Sequence, residues 1–165
     1  MSIQTDKERM ILFFDSCARI EGICAELYHF YSDLFQGHEE VSQLWKKTAL
    51  EEENHQKQFE LAGRLRDNAD FFVEADLERT YRVFKKLQTL LEHVRKNNPD
   101  MITAFSKAIE MEERLADLHM ETSVRFGNNS IKELFKAMRD FDQDHIKSLK
   151  HCLAILMLPK ADMAG

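Results

Sequence analysis

Four acidic residues stand inside apolar helical stripes, and no other feature limits the fold of this chain as strongly. The segment EEENHQKQF looks like an exposed helix, but Glu52 and His55 fall one helical turn apart on a single stripe. The other members of that stripe are mostly apolar: Val41, Leu44, Trp45, Thr48, Phe59 and Ala62. Acids occupy similar stripes at Glu21, Glu112 and Asp142. A fold for this chain must therefore accommodate several carboxylates in its interior.

The composition predicts an all-α protein with a single domain, residues 1–165. The 165 residues include only 5 Gly and 2 Pro, and long alternating runs of β-branched residues are missing. A chain of this length is large enough to bury one proper core. Caps and breaks divide it into predicted helices at roughly 5–35, 39–67, 77–96, 100–126 and 130–157.

Capping sequences mark three helix starts, because their side chains bond the free N–H groups of a first turn: Thr5-x-x-Glu8, Asn98-Pro99-Asp100 and Ser130-x-x-Glu133. At the second of these, Asn98 is the predicted N-cap. Turns are expected at Gly37 and at Gly127-Asn128-Asn129, and Pro159 ends the last helix. Long helices joined by short turns form hairpins. The predicted fold is an antiparallel four-helix bundle of two hairpins, joined by a long crossover that contains a short extra helix.

The spacing of the acids repeats between the two predicted hairpins. Glu21 and Glu52 are 31 residues apart. Glu112 and Asp142 are 30 residues apart, and each interval has a hairpin turn near its middle. On the second arm of each hairpin a histidine follows the acid by three residues: Glu52-x-x-His55 and Asp142-x-x-His145. Such residues project from one face of a helix. The chain therefore contains two copies of one hairpin pattern, and paired acids lie at similar heights.

Electrostatics decides what these acids require. A buried carboxylate without a partner costs several kcal/mol, and converging like charges increase that cost. The stripes carry no Lys or Arg that could neutralise them. Two divalent cations would cancel four negative charges, and neutral imidazoles would complete the coordination. The predicted metal ligands are Glu21, Glu52, His55, Glu112, Asp142 and His145. Mixed carboxylate and imidazole ligands suit iron or manganese, and zinc would also bind.

Four segments resemble ligand-bearing helices of a known family: ARIEGICAELYHFYSDLF with Glu21, LEEENHQKQF with Glu52 and His55, AIEMEERLADLH with Glu112, and MRDFDQDHIKSL with Asp142 and His145. The family is the rubrerythrin-type branch of the ferritin-like di-iron carboxylate proteins, and the resemblance covers essentially the whole chain. Its site takes a Glu from each of two helices and Glu-x-x-His from each of the other two. The resemblance implies a ferritin-like fold and two iron ions, with manganese or zinc as alternatives.

The chain departs from the family pattern at three positions. Asp142 is one methylene shorter than the usual Glu, so it is expected to bind one metal only or to leave a more open coordination position. His119 stands seven residues after Glu112, where the repeat predicts a counterpart of Tyr28. Leu115 occupies the place of an additional Glu in peroxidase-type rubrerythrins, which puts their redox-linked ligand switch in doubt. Glu112 is expected to reach both ions.

Several residues near the predicted site have two interpretations. Tyr28 and His119 either pack in the core or hydrogen-bond a ligand carboxylate. Cys24 is either an inert buried thiol or a reactive one. Four flanking acids are expected to be solvated: Glu51, Glu53, Glu110 and Glu113.

The net charge of -6 argues against a nucleic-acid partner or an anionic membrane, because no basic cluster is present to bind phosphates. No apolar segment approaches the length of a membrane span, and MSIQTDKERM lacks the layout of a signal peptide, so a cytoplasmic location is expected. Three cysteines without a Cys-x-x-Cys pair predict neither a disulfide framework nor a rubredoxin module.

The resemblance implies a di-iron oxidoreductase that reduces peroxide or dioxygen with electrons from a separate donor protein, and a homodimer is expected. Two alternatives remain open at this point. One is a ferroxidase or iron-handling protein that uses the same site. The other is a metal-binding helical bundle without catalytic activity.

Overall fold

A computed structural model describes residues 6–64, 77–123 and 129–159. Within these ranges every regular element is an α-helix, which confirms the all-α prediction. The helices are α1 (Asp6–Leu34), α2 (Glu39–Arg64), α3 (Leu77–Lys96), α4 (Met101–Ser123) and α5 (Asn129–Leu156). Among them, none is both long enough and apolar enough to cross a lipid bilayer.

The start of α4 differs from the prediction. The backbone N–H of Thr103 donates to Oδ1 of Asp100 at 2.8 Å, and the Thr103 hydroxyl donates to Oδ2 at 3.0 Å. Asp100 is therefore the N-cap, not Asn98, and Pro99 precedes the helix instead of opening it. An aspartate carboxylate in this position satisfies a free N–H and interacts favourably with the helix dipole.

The other helix ends lie close to their predicted positions. A turn at 35–38 contains Gly37, and α5 ends before Pro159 as expected. Helix α5 begins at Asn129, one residue before the predicted Ser130 start, which is an ordinary uncertainty of helix boundaries. Some predictions lie outside the described residues: the Thr5 cap, the helical residues 65–67 and 124–126, and the turn residues Gly127 and Asn128.

Helices α1 and α2 form an antiparallel pair across the short turn. Near the turn, the Ser32 hydroxyl donates to the backbone oxygen of Ser42 at 2.9 Å. Farther along, Phe14 on α1 approaches Gly63 on α2 so closely that an added Cβ at Gly63 would lie 3.3 Å from it. Residue numbers therefore rise along α1 as they fall along α2, which brings Glu21 and Glu52 to similar heights.

Helices α4 and α5 form the second antiparallel pair. Lys150 contacts Glu113 at 2.8 Å, and His119 contacts Asp142 at 2.6 Å. Residue numbers therefore fall along α5 as they rise along α4, which makes the two helices antiparallel. Helix α2 packs against α5, and α3 packs against α1. Along α3, Leu87, Leu91 and Val94 are buried, whereas Tyr81 is 55% exposed.

Two apolar clusters lie on either side of the buried acids. One includes Cys17, Phe59 and Met138, and the other includes Cys24, Ala49 and Leu149. On α1, α2 and α5, the acid falls between a residue of the first cluster and a residue of the second. The interior is therefore layered, with a polar site between two apolar layers that keep it from water.

Candidate metal centre

All six predicted ligand residues are buried, and they come from α1, α2, α4 and α5. Their exposed fractions are 0% for Glu21, Glu52, Glu112 and Asp142, 2% for His55 and 4% for His145. Ionisable side chains are almost never this deeply buried unless they are paired or bind a metal.

Five of the six residues form two groups that share one acid. The first group is Glu21, Glu52 and His55, and the second is Glu52, Glu112 and His145. Within each group, one ligand atom from every residue lies within 4.8 Å of the others. Glu52 belongs to both groups, whereas Glu112, expected to reach both metal positions, belongs to one.

Each carboxylate oxygen of Glu52 faces a different histidine. Oε2 lies 2.9 Å from Nδ1 of His55 on the same helix. Oε1 lies 3.1 Å from Nδ1 of His145 on α5. The remaining acid of each group approaches the same nitrogen, Glu21 at 3.6 Å from His55 and Glu112 at 3.5 Å from His145. The two groups are therefore similar halves of one site.

Asp142 lies outside both groups and contacts His119 instead. Nδ1 of His119 lies 2.6 Å from Oδ2 of Asp142, and Nε2 of His119 lies 3.4 Å from Oε1 of Glu21. The second oxygen of Asp142 has no hydrogen-bond partner among the described residues. His119 therefore links the short acid to the group that contains Glu21.

Tyr28 and His119 occupy equivalent positions in the repeat and make equivalent contacts. The Tyr28 hydroxyl donates to Oε1 of Glu112, and the His119 ring faces Glu21. Each side chain thus reaches the first-arm acid of the other hairpin. Of the two interpretations left open by the sequence, the contact with an acid describes both residues, and both are also buried.

The thiol of Cys24 is buried beside these acids. Burial raises its pKa well above the ordinary value, and the charges of Glu52 and Glu21 raise it further. The neutral thiol is therefore the stable form, which favours the inert interpretation because the thiolate is the reactive species.

The acids differ in how readily they ionise without metal. Burial, together with the charges of Glu112 and Glu21, raises the pKa of Glu52 to about 8. Burial also raises the pKa of Asp142 to about 6, although His119 opposes the shift. For Glu21, burial is outweighed by the nearby rings of His119 and His55, at 3.4 Å and 3.6 Å, which hold its pKa below the ordinary value.

The buried histidines hold protons when no metal is bound. Burial lowers the pKa of His55, but the carboxylates of Glu21 and Glu52 outweigh it and raise the pKa to about 10. Contacts with Glu112 and Glu51 similarly raise the pKa of His145 well above its ordinary value. Binding of a metal requires these imidazoles in the neutral form. In the metal-free protein they instead balance part of the negative charge, so a metal must displace their protons.

Unpaired polar atoms provide a test of whether a metal fits this site. Among the described residues, eight buried side-chain N or O atoms have no hydrogen-bond partner. Two of them are Tyr31 Oη and Trp45 Nε1, and the other six are Glu21 Oε1 and Oε2, Glu52 Oε1, Glu112 Oε2, Asp142 Oδ1 and His145 Nδ1. Each such atom costs about 1–3 kcal/mol when it is left unsatisfied. Six of the eight belong to predicted ligand residues, and carboxylate oxygens with imidazole nitrogens are the donors that iron, manganese and zinc accept. The residues therefore fit a metal centre.

The sequence alone did not show that Glu51 contacts the site. It predicted a solvated side chain, but Oε2 of Glu51 lies 2.8 Å from Nε2 of buried His145, and the side chain is 34% exposed. The expectation of solvation fits Glu113 better, whose side chain is 51% exposed. The sequence did offer one indication, because Glu51 is next to Glu52, the predicted ligand on the second arm of the hairpin. Only the packing of α2 on α5 shows which ring it reaches.

Comparisons of the chain with protein-family models, with curated proteins and with solved structures found no match. The interpretation of the site therefore depends on its own geometry and on the sequence pattern.

Proposed function

We propose that this chain is a ferritin-like four-helix bundle that binds two metal ions and acts as a non-haem di-iron oxidoreductase of rubrerythrin type. The observation that carries the proposal is the position of Glu52, whose two oxygens face His55 and His145 at 2.9 Å and 3.1 Å. A carboxylate shared in this way would help to hold a cation in each of the two groups. Glu21 and Glu112 supply a further acid to each position.

Charge supports two divalent ions over one. Four buried carboxylates carry four negative charges when the histidines are neutral, and two divalent cations balance them. A single divalent cation would leave two buried negative charges, which is expensive in an apolar interior. Iron bound here would supply electron transfer between its ferrous and ferric states.

The other residues of the site hold the ligands and control access. Tyr28 donates a hydrogen bond to Glu112, which limits the orientations of that carboxylate. His119 restrains Asp142 in the same way. The apolar layers on both sides exclude bulk water, so a small uncharged oxidant such as hydrogen peroxide or dioxygen is the substrate that fits. Reduction of peroxide to two waters consumes two electrons and two protons. We propose that a separate protein donates those electrons, because the chain has no Cys-x-x-Cys pair to hold an iron–sulfur module.

The first test is the metal content of protein purified without added metal, with absorption spectra recorded before and after oxidation. We expect two iron ions per chain and an absorption change on oxidation. Protein that binds fewer than one metal ion per chain, even after reconstitution with ferrous iron, would contradict the metal centre.

The second test separates the possible activities of a loaded centre. Steady-state consumption of hydrogen peroxide with a supplied reductant would support the oxidoreductase. A single round of ferrous oxidation followed by release of ferric iron would support the iron-handling alternative. Stable binding of two ions with neither reaction would identify a non-catalytic bundle.

A further inference from the structure

The two histidines of the proposed centre have different outer neighbours. In the repeat, Glu51 and Phe141 are equivalent, because each immediately precedes the second-arm acid of its hairpin. Each also reaches the histidine of the other hairpin. Oε2 of Glu51 lies 2.8 Å from Nε2 of His145, whereas the ring of Phe141 lies 4.8 Å from the ring of His55, measured between centroids.

The contact between Glu51 and His145 determines which nitrogen of the ring faces inward. Since a carboxylate accepts hydrogen bonds, Nε2–H of His145 donates to Glu51. Nδ1 then points toward Glu52 and Glu112, at 3.1 Å and 3.5 Å. A carboxylate on the far side of a ligand imidazole orients the ring and makes it a stronger donor to a metal. An aromatic ring, as at Phe141, packs against the imidazole but accepts no comparable hydrogen bond.

We propose that Glu51 is a positioning residue for His145 and that it makes the two metal positions unequal. The position formed by Glu52, Glu112 and His145 then binds a divalent cation more tightly than the position formed by Glu21, Glu52 and His55. The inference depends on the proposed metal centre. The two positions have the same donor types, two carboxylates and one imidazole, and the contact on the outer side of each imidazole is one difference between them.

The test is a titration of metal-free protein with Zn²⁺ against a chelator of known affinity. Glu51→Ala should weaken the tighter of two binding steps by roughly 10–100-fold, the usual effect of losing such a partner. The matched control is Glu53→Ala, which removes the same charge from the same helix but faces surface His29 at 2.7 Å. It should leave both binding steps unchanged, because Glu53 contacts neither histidine of the two groups. Glu51→Gln keeps an acceptor oxygen without the charge. Its loss of affinity in the tighter step should be smaller than that of Glu51→Ala and larger than that of Glu53→Ala.

A converse variant tests positioning directly. Phe141 is 42% exposed, so a carboxylate is tolerated there without a large loss of buried surface. Phe141→Glu should place an acceptor beside His55 and tighten the weaker step. If Glu51 had only a structural role, a glutamate at the equivalent position 141 would not increase the affinity for metal.

Nuclear magnetic resonance of ¹⁵N-labelled histidine assigns the steps. With one equivalent of Zn²⁺, the ¹⁵N resonance of His145 Nδ1 should change its chemical shift, while that of His55 Nδ1 should change only with the second equivalent. The inference is wrong if His55 shifts first, or if Glu51→Ala behaves like Glu53→Ala while the original protein still binds two ions. An original protein that binds no Zn²⁺ would overturn the metal centre and this inference together.

Discussion

Oε1 of Glu52 lies 3.1 Å from Nδ1 of His145, although the two residues belong to different antiparallel helix pairs. The second oxygen of Glu52 lies 2.9 Å from His55. One buried carboxylate therefore faces both histidines of the site, one with each oxygen. The two groups of acids and histidines meet at this residue, and this contact connects the two copies of the repeat.

The first prediction follows from the shared position of Glu52. Glu52→Gln should reduce the bound metal from two ions per chain to fewer than one, because an amide is a poor metal ligand and both positions lose it. Glu21→Gln and Glu112→Gln should each lose a single ion, since each acid belongs to one group. Metal analysis after dialysis against a weak chelator measures the difference.

Glu53→Gln is the control for these three variants, because Glu53 is on the same helix and contacts a surface histidine. It should retain two ions. If Glu52→Gln and Glu112→Gln lose the same amount of metal, Glu52 is not the shared ligand.

The burial of the six predicted residues could be foreseen from the sequence for a physical reason. Buried helical faces are mostly apolar, so acids on those faces are conspicuous, and their repetition across two hairpins indicates a shared role. The heights of Glu21 and Glu52 follow from the short turn between α1 and α2 and from the constant rise of a helix. All six residues chosen on these grounds are buried in the structure.

The contacts of individual atoms could not be predicted in the same way. Which oxygen of Glu52 faces which ring, and whether Asp142 joins a group or contacts His119, depends on rotamers and on the packing of α2 against α5. The contact of Glu51 could not be predicted either. A residue at the edge of an apolar stripe is expected to be solvated, and only the position of α5 shows that Glu51 contacts His145. The cap of α4 is a smaller case, in which Asn98 and Asp100 compete and local geometry selects Asp100.

The second prediction concerns protons released when metal binds. At pH 7, the pKa values of Glu52 and His55, about 8 and about 10, and the raised pKa of His145 leave all three residues largely protonated without metal. Metal ligands must be deprotonated, so loading should release a proton from each of them. A pH-stat titration of metal-free protein in weak buffer counts these protons. Release of none would show that the site is already deprotonated, in conflict with the buried contacts of its histidines.

The third prediction concerns the stability of the metal-free protein as a function of pH. The pKa of His55 rises from 6.5 to about 10 on folding, so its stabilisation is complete below pH 6.5 and is lost as the pH rises to 10. The pKa of Glu52 rises from 4.5 to about 8, so the folded protein holds an extra proton, and this contribution is lost between pH 4.5 and pH 8. Both contributions to the free energy of unfolding therefore decrease as the pH rises. The melting temperature should fall by on the order of 10 °C between pH 6 and pH 9.

Metal-loaded protein is the comparison for this experiment. Bound cations replace the lost protons as the positive charge of the interior, so its melting temperature should change less over the same pH range. Chelation should therefore destabilise the protein more at pH 9 than at pH 6. Equal melting curves with and without verified metal at pH 9 would mean that the acids are not buried together.

The last prediction tests the short side chain of Asp142. In the repeat it corresponds to Glu52, yet it belongs to neither group, and one of its oxygens has no hydrogen-bond partner among the described residues. Through His119 it lies beside Glu21, which belongs to the position that we infer to be weaker. Asp142→Glu adds one methylene, and it should tighten the weaker metal with little effect on the fold.

Asp142→Asn is the matched variant, because it keeps the length of the side chain and an oxygen for His119 but removes the charge. It should weaken the same metal, while Asp142→Glu strengthens it. The two variants and the original protein are compared by metal stoichiometry across a chelator series, with Glu112→Gln as the reference for a lost ligand. If Asp142→Glu gives up metal as readily as Glu112→Gln, the centre is built around the shorter acid. The hydrogen bond from His119 would then be the contact that a longer side chain disrupts.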